Sequence, residues 1–303
     1  MEMFVLGHRG EVYALLTACC WTITAMSFES AGKKVGSLTV NILRLVIALI
    51  FFSIYGMVFR GLLIPIDAGS FAWKWLGASA VVGFCIGDLC LFRAFVLVGS
   101  RISMLMMSAV PPMTALIGLW MLDEKMTRQG WVGMVLTVAG ISMAVLMKAS
   151  GKNVPLSSNK QHIKGVFFAI IGALGQAFGL ILSKRGMGQF DAVSSTHIRV
   201  IVGVIGFSFI FFVSGRWHCV VDALRNYRAM ASILLGSIFG PFLGVSLSLL
   251  AIQRTDAGIA STIMAIVPVL IIPPAILIFR EKVSILEGVG AILAVSGVAL
   301  LFL

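Results

Sequence analysis

The sequence predicts an all-α integral membrane protein of ten transmembrane helices, arranged as two five-helix repeats inverted relative to each other. Three observations carry this reading. The chain is 303 residues long and 59% hydrophobic, with only 12% Asp, Glu, Lys and Arg, about half the roughly 25% usual in soluble domains. Residues 99–146 recur at 256–303 with a constant offset of 157 and no gap, and a repeat of this kind determines architecture. The number of spans in each half is odd, so a second half that begins on the far side of the membrane is upside down relative to the first.

The spans are expected at roughly 11–31, 38–59, 72–97, 101–122, 127–147, 163–184, 193–213, 229–252, 257–279 and 284–303. Each is an apolar run of about 20 residues, the length that crosses a bilayer as a helix. The first is expected to be retained, because only about ten residues precede it and no small-residue cleavage site follows. The polar stretch Lys148 to Lys164 holds Gly, Asn, Pro, Ser and Lys and reads as a linker. It divides the chain into repeats at 1–150 and 160–303. In the first and second spans the repeat runs at an offset of 155, aligning Gly10 with Gly165, Ala18 with Ala173 and Arg44 with Arg199. The third and eighth spans align Gly83 and Gly87 with Gly240 and Gly244. In the fourth and fifth, Ile102, Met107, Val110-Pro111, Glu124-Lys125 and Gly140 recur as Ile259, Met264, Val267-Pro268, Glu281-Lys282 and Gly297. Pro111, Pro112, Pro268, Pro273 and Pro274 are expected to bend the fourth and ninth spans, since each removes a backbone donor. Ser284-Ile-Leu-Glu287 reads as a capping box for the last span.

Several function classes are excluded or disfavoured. The net charge of +11 is scattered over short loops with no basic domain, which fits lipid headgroups and not nucleic acid. Cys19, Cys20, Cys85, Cys90 and Cys219 form no C-x-x-C pair, so neither a disulfide framework nor a metal site is supported. No Walker loop, H-E-x-x-H or nucleophile elbow occurs, so no enzyme activity and no cofactor are expected. Pairs such as Gly83/Gly87 and Gly175/Gly179 read as helix contacts.

The repeated block resembles the EamA family of the drug/metabolite transporter superfamily. The residues that carry the resemblance are Ser108-Ala-Val-Pro-Pro112, Leu122-Asp-Glu-Lys125 and Gly133 to Gly140, with Ala265-Ile-Val-Pro268, Phe279-Arg-Glu-Lys282 and Gly290 to Gly297 in the second half. Gly87-Asp-Leu-Cys-Leu-Phe-Arg-Ala94 with Val98-Gly99 is similar to a pattern in one branch of the family. The resemblance implies a transporter of small metabolites such as amino acids, with relatives that carry drugs or phosphorylated sugars. It also implies both termini in the cytoplasm, although lysines and arginines counted on the two sides mildly favour the reverse.

Six residues are candidate substrate contacts. Asp88 lies deep in the third span, where a charge costs on the order of 2.5–3.5 kcal/mol. Its repeat counterpart is Val245, so the fold itself does not require an acid there. It either faces a cavity, with a proton or a substrate amine, or is a buried acid bonded to a neighbouring helix or to Arg93. Arg44 and Arg199 lie about two turns inside their spans; each either snorkels outward or holds an anionic group in the cavity. His197 is a pH-sensitive ligand or a packed polar residue. Trp21 and Gln176 align across the repeats among Thr22, Thr24, Ser27, Gly172, Gly175, Gly179 and Ser183, which line a path or let helices touch. Met104, Met106 and Met107 offer either ordinary packing or an adaptable apolar surface.

The expected function is a secondary transporter, an exporter, in a bacterial inner membrane. Its expected partners are a small-molecule metabolite, membrane lipids and protons. An organophosphate or nucleotide-sugar exchanger is the alternative, and a non-transporting scaffold or lipid-handling enzyme is the rival from another class.

Overall fold

The computed structural model describes residues 8–107, 109–150, 159–270, 273 and 285–300, and every regular element among them is helical. The first half contributes α1 (Arg9–Val35), α2 (Ser37–Arg60), α3 (Ser70–Ala80), a π-helical stretch π1 (Val81–Asp88), α4 (Leu89–Met107), α5 (Val110–Met121) and α6 (Arg128–Ser150). The second contributes α7 (Asn159–Met187), α8 (Ala192–Ser214), α9 (Trp217–Arg225), α10 (Tyr227–Ser237), π2 (Ile238–Gly244), α11 (Val245–Arg254), α12 (Ala257–Met264), α13 (Val267–Leu270) and α14 (Ile285–Leu300).

Six helical runs are long and apolar enough to cross a membrane: Arg9–Val35, Ser37–Arg60, Ser70–Ala94, Ile163–Met187, Ala192–Ser214 and Tyr227–Arg254. They match the first, second, third, sixth, seventh and eighth expected spans. Val110–Met121 and Gly288–Leu300 are apolar but shorter. Ten full spans are therefore not reached among the described residues. Large apolar side chains face outward, with Phe212 78% and Trp120 80% exposed. Such a surface suits lipid, which wets apolar groups that water would not. The chain is a multi-pass integral membrane protein.

Two boundaries differ from the expected ones. The third span does not end near residue 97; α4 continues through Val98-Gly99 to Met107. Its counterpart α11 stops at Arg254, where Thr255 turns extended (φ −143°, ψ 173°). The break there is satisfied by other side chains, Lys184 at the carbonyl of Thr255 and Glu124 at the amide of Ala257, whereas the apolar run through Val98-Gly99 keeps its hydrogen bonds by staying helical. Pro111, Pro112 and Pro268, too, stand at helix starts and not within a bent helix. Pro111 and Pro112 sit in the first turn of α5, and Val267-Pro268 opens α13. The first turn has no amide partner to lose, so proline starts these helices. Pro274 and the expected box at Ser284 lie outside the described residues.

The packing repeats with the sequence. Helix α1 runs along α10, π2 and α11; its counterpart α7 runs along α3, π1 and α4. Helix α2 packs against its counterpart α8, and α6 against α14. The π stretches begin at Val81 and Ile238, 157 positions apart, so even this irregularity is duplicated. Single π turns concentrate at functional sites.

Glycine makes the closest crossings possible. A Cβ on Gly140 would lie 2.4 Å from the backbone N of Ala294, and one on Gly297 2.5 Å from the N of Thr137. These contacts are equivalent under the repeat and let α6 and α14 touch main chain to main chain. A Cβ on Gly175 would lie 2.7 Å from Cα of Gly87, and one on Gly179 3.0 Å from Cα of Gly83. The two glycine pairs thus meet each other.

Gly140→Ala and Gly297→Ala are each expected to cost about 1–3 kcal/mol, because backbone cannot give way as a side chain can. Gly32→Ala, with nothing within 4 Å of the new Cβ, is expected to be neutral or to gain up to about 1 kcal/mol from helix propensity. Denaturant unfolding of the detergent-purified variants measures this contrast; three equal effects would contradict it.

Candidate substrate site

The glycine crossing of π1 and α7 sets the site. Because Gly87 touches Gly175, the next residue on each chain, Asp88 and Gln176, comes into register. Gln176 donates from Nε2 to Oδ1 of Asp88 at 2.6 Å. From α2, Arg44 donates from Nη2 to Oδ2 of the same carboxylate. Asp88 and Arg44 are both buried, and Asp88 stands at the midpoint of the continuous helical run from Ser70 to Met107. The Arg44 guanidinium lies 5.6 Å from the ring centre of Phe28 and 5.2 Å from that of Phe92, so aromatic faces add cation–π attraction to the ion pair. Neither arginine snorkels. Asp88 is bonded to neighbouring helices through Arg44 and Gln176, not to Arg93, which is exposed.

Arg199 projects from α8 toward π1. Its guanidinium lies 4.6 Å above the Phe84 ring and within electrostatic reach of Asp88. Gly83 leaves the room, since a Cβ there would be 3.5 Å from Nη2 of Arg199. The other two candidates stand apart. His197 stacks on Phe52, with ring centres 5.6 Å apart, and lines a small pocket with Tyr55, Arg60 and Ser194. Trp21 lays its indole against the second π stretch, with Nε1 2.7 Å from where a Cβ of Gly244 would be. Met104 has no described side chain, and Met106 and Met107 are half-buried.

A second polar cluster lies at helix ends on one face of the bundle. Glu124, after α5, pairs with Lys184 of α7 at 2.6 Å. Its Oε2 accepts from the backbone N of Ala257 at 3.0 Å, so a carboxylate of the first half caps α12 in the second. A negative charge at a helix N-terminus is favourable. Lys184 also donates to the carbonyl of Thr255 at 2.7 Å, and Thr255 donates to Glu11 at 3.1 Å. From the sequence Glu124 reads as an end-of-helix residue and nothing more. The available signal was that Glu11, Glu124, Lys184 and Asp256 all fall at span ends on the same side. Burial pushes the Asp256 carboxyl above its ordinary value; Glu124 adds to the shift and Lys184 opposes it.

A helical bundle with apolar walls, duplicated irregular turns and charged groups shared between its halves is that of a multi-pass membrane protein, and its relatives make the class a membrane transporter. Comparison with known proteins agrees. The model of the EamA-like transporter family matches residues 8–146 and again 163–303. The chain is 21% identical over 232 residues to an uncharacterized transporter of Synechocystis, covering 72% of this chain and 69% of that one. It is also 21% identical over 232 residues to Protein LicB of Haemophilus influenzae, covering 75% and 76%. A solved crystal structure, 15% identical, superposes with a TM-score of 0.72 over 96% of both chains, which shows a shared fold. The chain belongs to the EamA-like transporter family.

Two outcomes are expected. Arg44→Leu or Asp88→Leu alone should cost about 3–5 kcal/mol by leaving a buried charge unpaired, and the double variant should cost less than their sum. A denaturant double-mutant cycle reads the coupling, and strict additivity would refute it. For Asp256, a folded carboxyl raised above its unfolded value holds its proton longer in the native state. Its penalty is absent well below the unfolded value of 3.8 and grows as pH rises through the folded one. Asp256→Asn should therefore raise the melting temperature at neutral pH and lose that gain in acid.

Proposed function

We propose that the protein is a secondary carrier that exports small metabolites, amino acids among them, across a bacterial inner membrane. The carrier works by alternating access between two inverted five-helix repeats, 1–150 and 160–303, with ten crossings in all. The observation that supports this reading best is the buried cluster around Asp88. Arg44 and Asp88 come from one half and Gln176 and Arg199 from the other, so relative movement of the halves must rearrange charged groups at the centre. A carrier uses such a cluster to couple substrate binding to the exchange of open sides. A scaffold or lipid-handling protein has no need to hold charge at that depth. Asp88 is the residue through which a proton couples, and Arg44, Gln176 and Arg199 are the substrate contacts nearest to it. Trp21 and His197 serve as outlying contacts on the paths to either side.

Uptake and counterflow of labelled amino acids and other metabolites into proteoliposomes test the reading. Accumulation driven by an imposed proton gradient is expected. With equal amounts of folded protein, Asp88→Asn should flatten the pH profile of the flux while leaving counterflow. An unchanged pH profile would remove Asp88 from coupling, and no flux of any solute would refute the carrier reading.

A further inference from the structure

The two halves differ at one chemically decisive place. Arg44 and Arg199 are counterparts, and Asp88 and Val245 are counterparts. In the first half the arginine has its acid. In the second an apolar residue stands where the acid would be, at the start of α11, which packs against α8. Arg199 is only 5% exposed, yet it has no hydrogen bond and no ion pair among the described residues, and its Nε is a buried atom without a partner. The nearby acid is already committed, since both oxygens of Asp88 are taken, one by Arg44 and one by Gln176. Arg44, Asp88 and Arg199 together therefore carry one unit of positive charge that no described residue neutralises. His197, on the same helix, faces Phe52 instead, and Arg93 is exposed.

We propose that Arg199 binds an oxyanion group of the transported solute, a carboxylate or a phosphate ester, which supplies the negative charge that no described residue has free to give it. This rests on the carrier reading and names its substrate class. Phe84 covers one face of the guanidinium and leaves the planar edge with its donors, the geometry that matches carboxylate and phosphate oxygens in pairs. A buried charge without a counterion is costly, so a solute that cancels it is held far more tightly than an uncharged analogue of the same shape. The selectivity is a matter of charge more than of size.

The test uses full-length protein in detergent and two matched pairs of probes: L-leucine with L-leucinamide, and glycerol 3-phosphate with glycerol. At least one oxyanion probe is expected to raise the melting temperature by several degrees while its uncharged-group partner does not. Which pair responds separates carboxylate from phosphate. Arg199→Met should abolish that shift and raise the melting temperature of the ligand-free protein, because it removes an unpaired charge and keeps the volume. Equal shifts within each pair, no shift from either oxyanion, or a ligand-free Arg199→Met protein less stable than wild type would overturn the inference. Counterflow of uncharged solutes in proteoliposomes would then leave the carrier reading standing.

Discussion

The carboxylate of Asp88 ties the bundle together. It is reached by Arg44 from α2 and Gln176 from α7, so three helices and both repeats meet on one pair of oxygens. In an apolar medium such a group must find its partners inside the protein, because neither water nor lipid will supply them. That requirement explains why π1 and α7 cross where they do. Only glycine at 83, 87, 175 and 179 lets the two backbones approach closely enough for residues 88 and 176 to bond. Packing and electrostatics are thus one constraint here.

Much of this was legible in the chain. Mean hydropathy and span length follow from the solvent the helices meet, so the membrane class and six of the expected spans could be read directly. The repeat could be read because both copies kept the glycines and prolines that geometry demands. Gly140 and Gly297 are the clearest case, since each is needed by the contact the other makes. What could not be read were the pairings. Arg93 is closer in sequence to Asp88 than Arg44 is, yet the turn of the helix carries it outward, and the true partner comes from 44 positions earlier. His197 and Arg199 share a helix and differ by two positions, which sends them to different neighbours. The prolines at 111 and 268 look like kinks until it is known that a helix starts there.

The duplicated π stretches mark where the two repeats keep a common shape while their chemistry has parted. Both begin at equivalent residues, and each lies against the counterpart of the other's neighbour: π1 on α7, π2 on α1. In π1 the neighbour is glycine-rich and the turn ends on an acid. In π2 the neighbour brings Trp21 against Gly244, and the turn contains Pro241 and ends beside Val245. Within these two stretches the backbone has stayed alike, and the side chains have become specialised.

The two halves are tied together at two places, one midway along the helices and one at helix ends. The Asp88 cluster is enclosed by protein, where dissolved ions do not reach and screening is weak. The Glu124–Lys184 pair stands at a face of the bundle, with side chains 11% and 21% exposed, and it clasps the turn at Thr255 and the start of α12 as well. The halves are therefore joined by charge at two places, and both pairs are buried enough for dissolved salt to screen them only weakly.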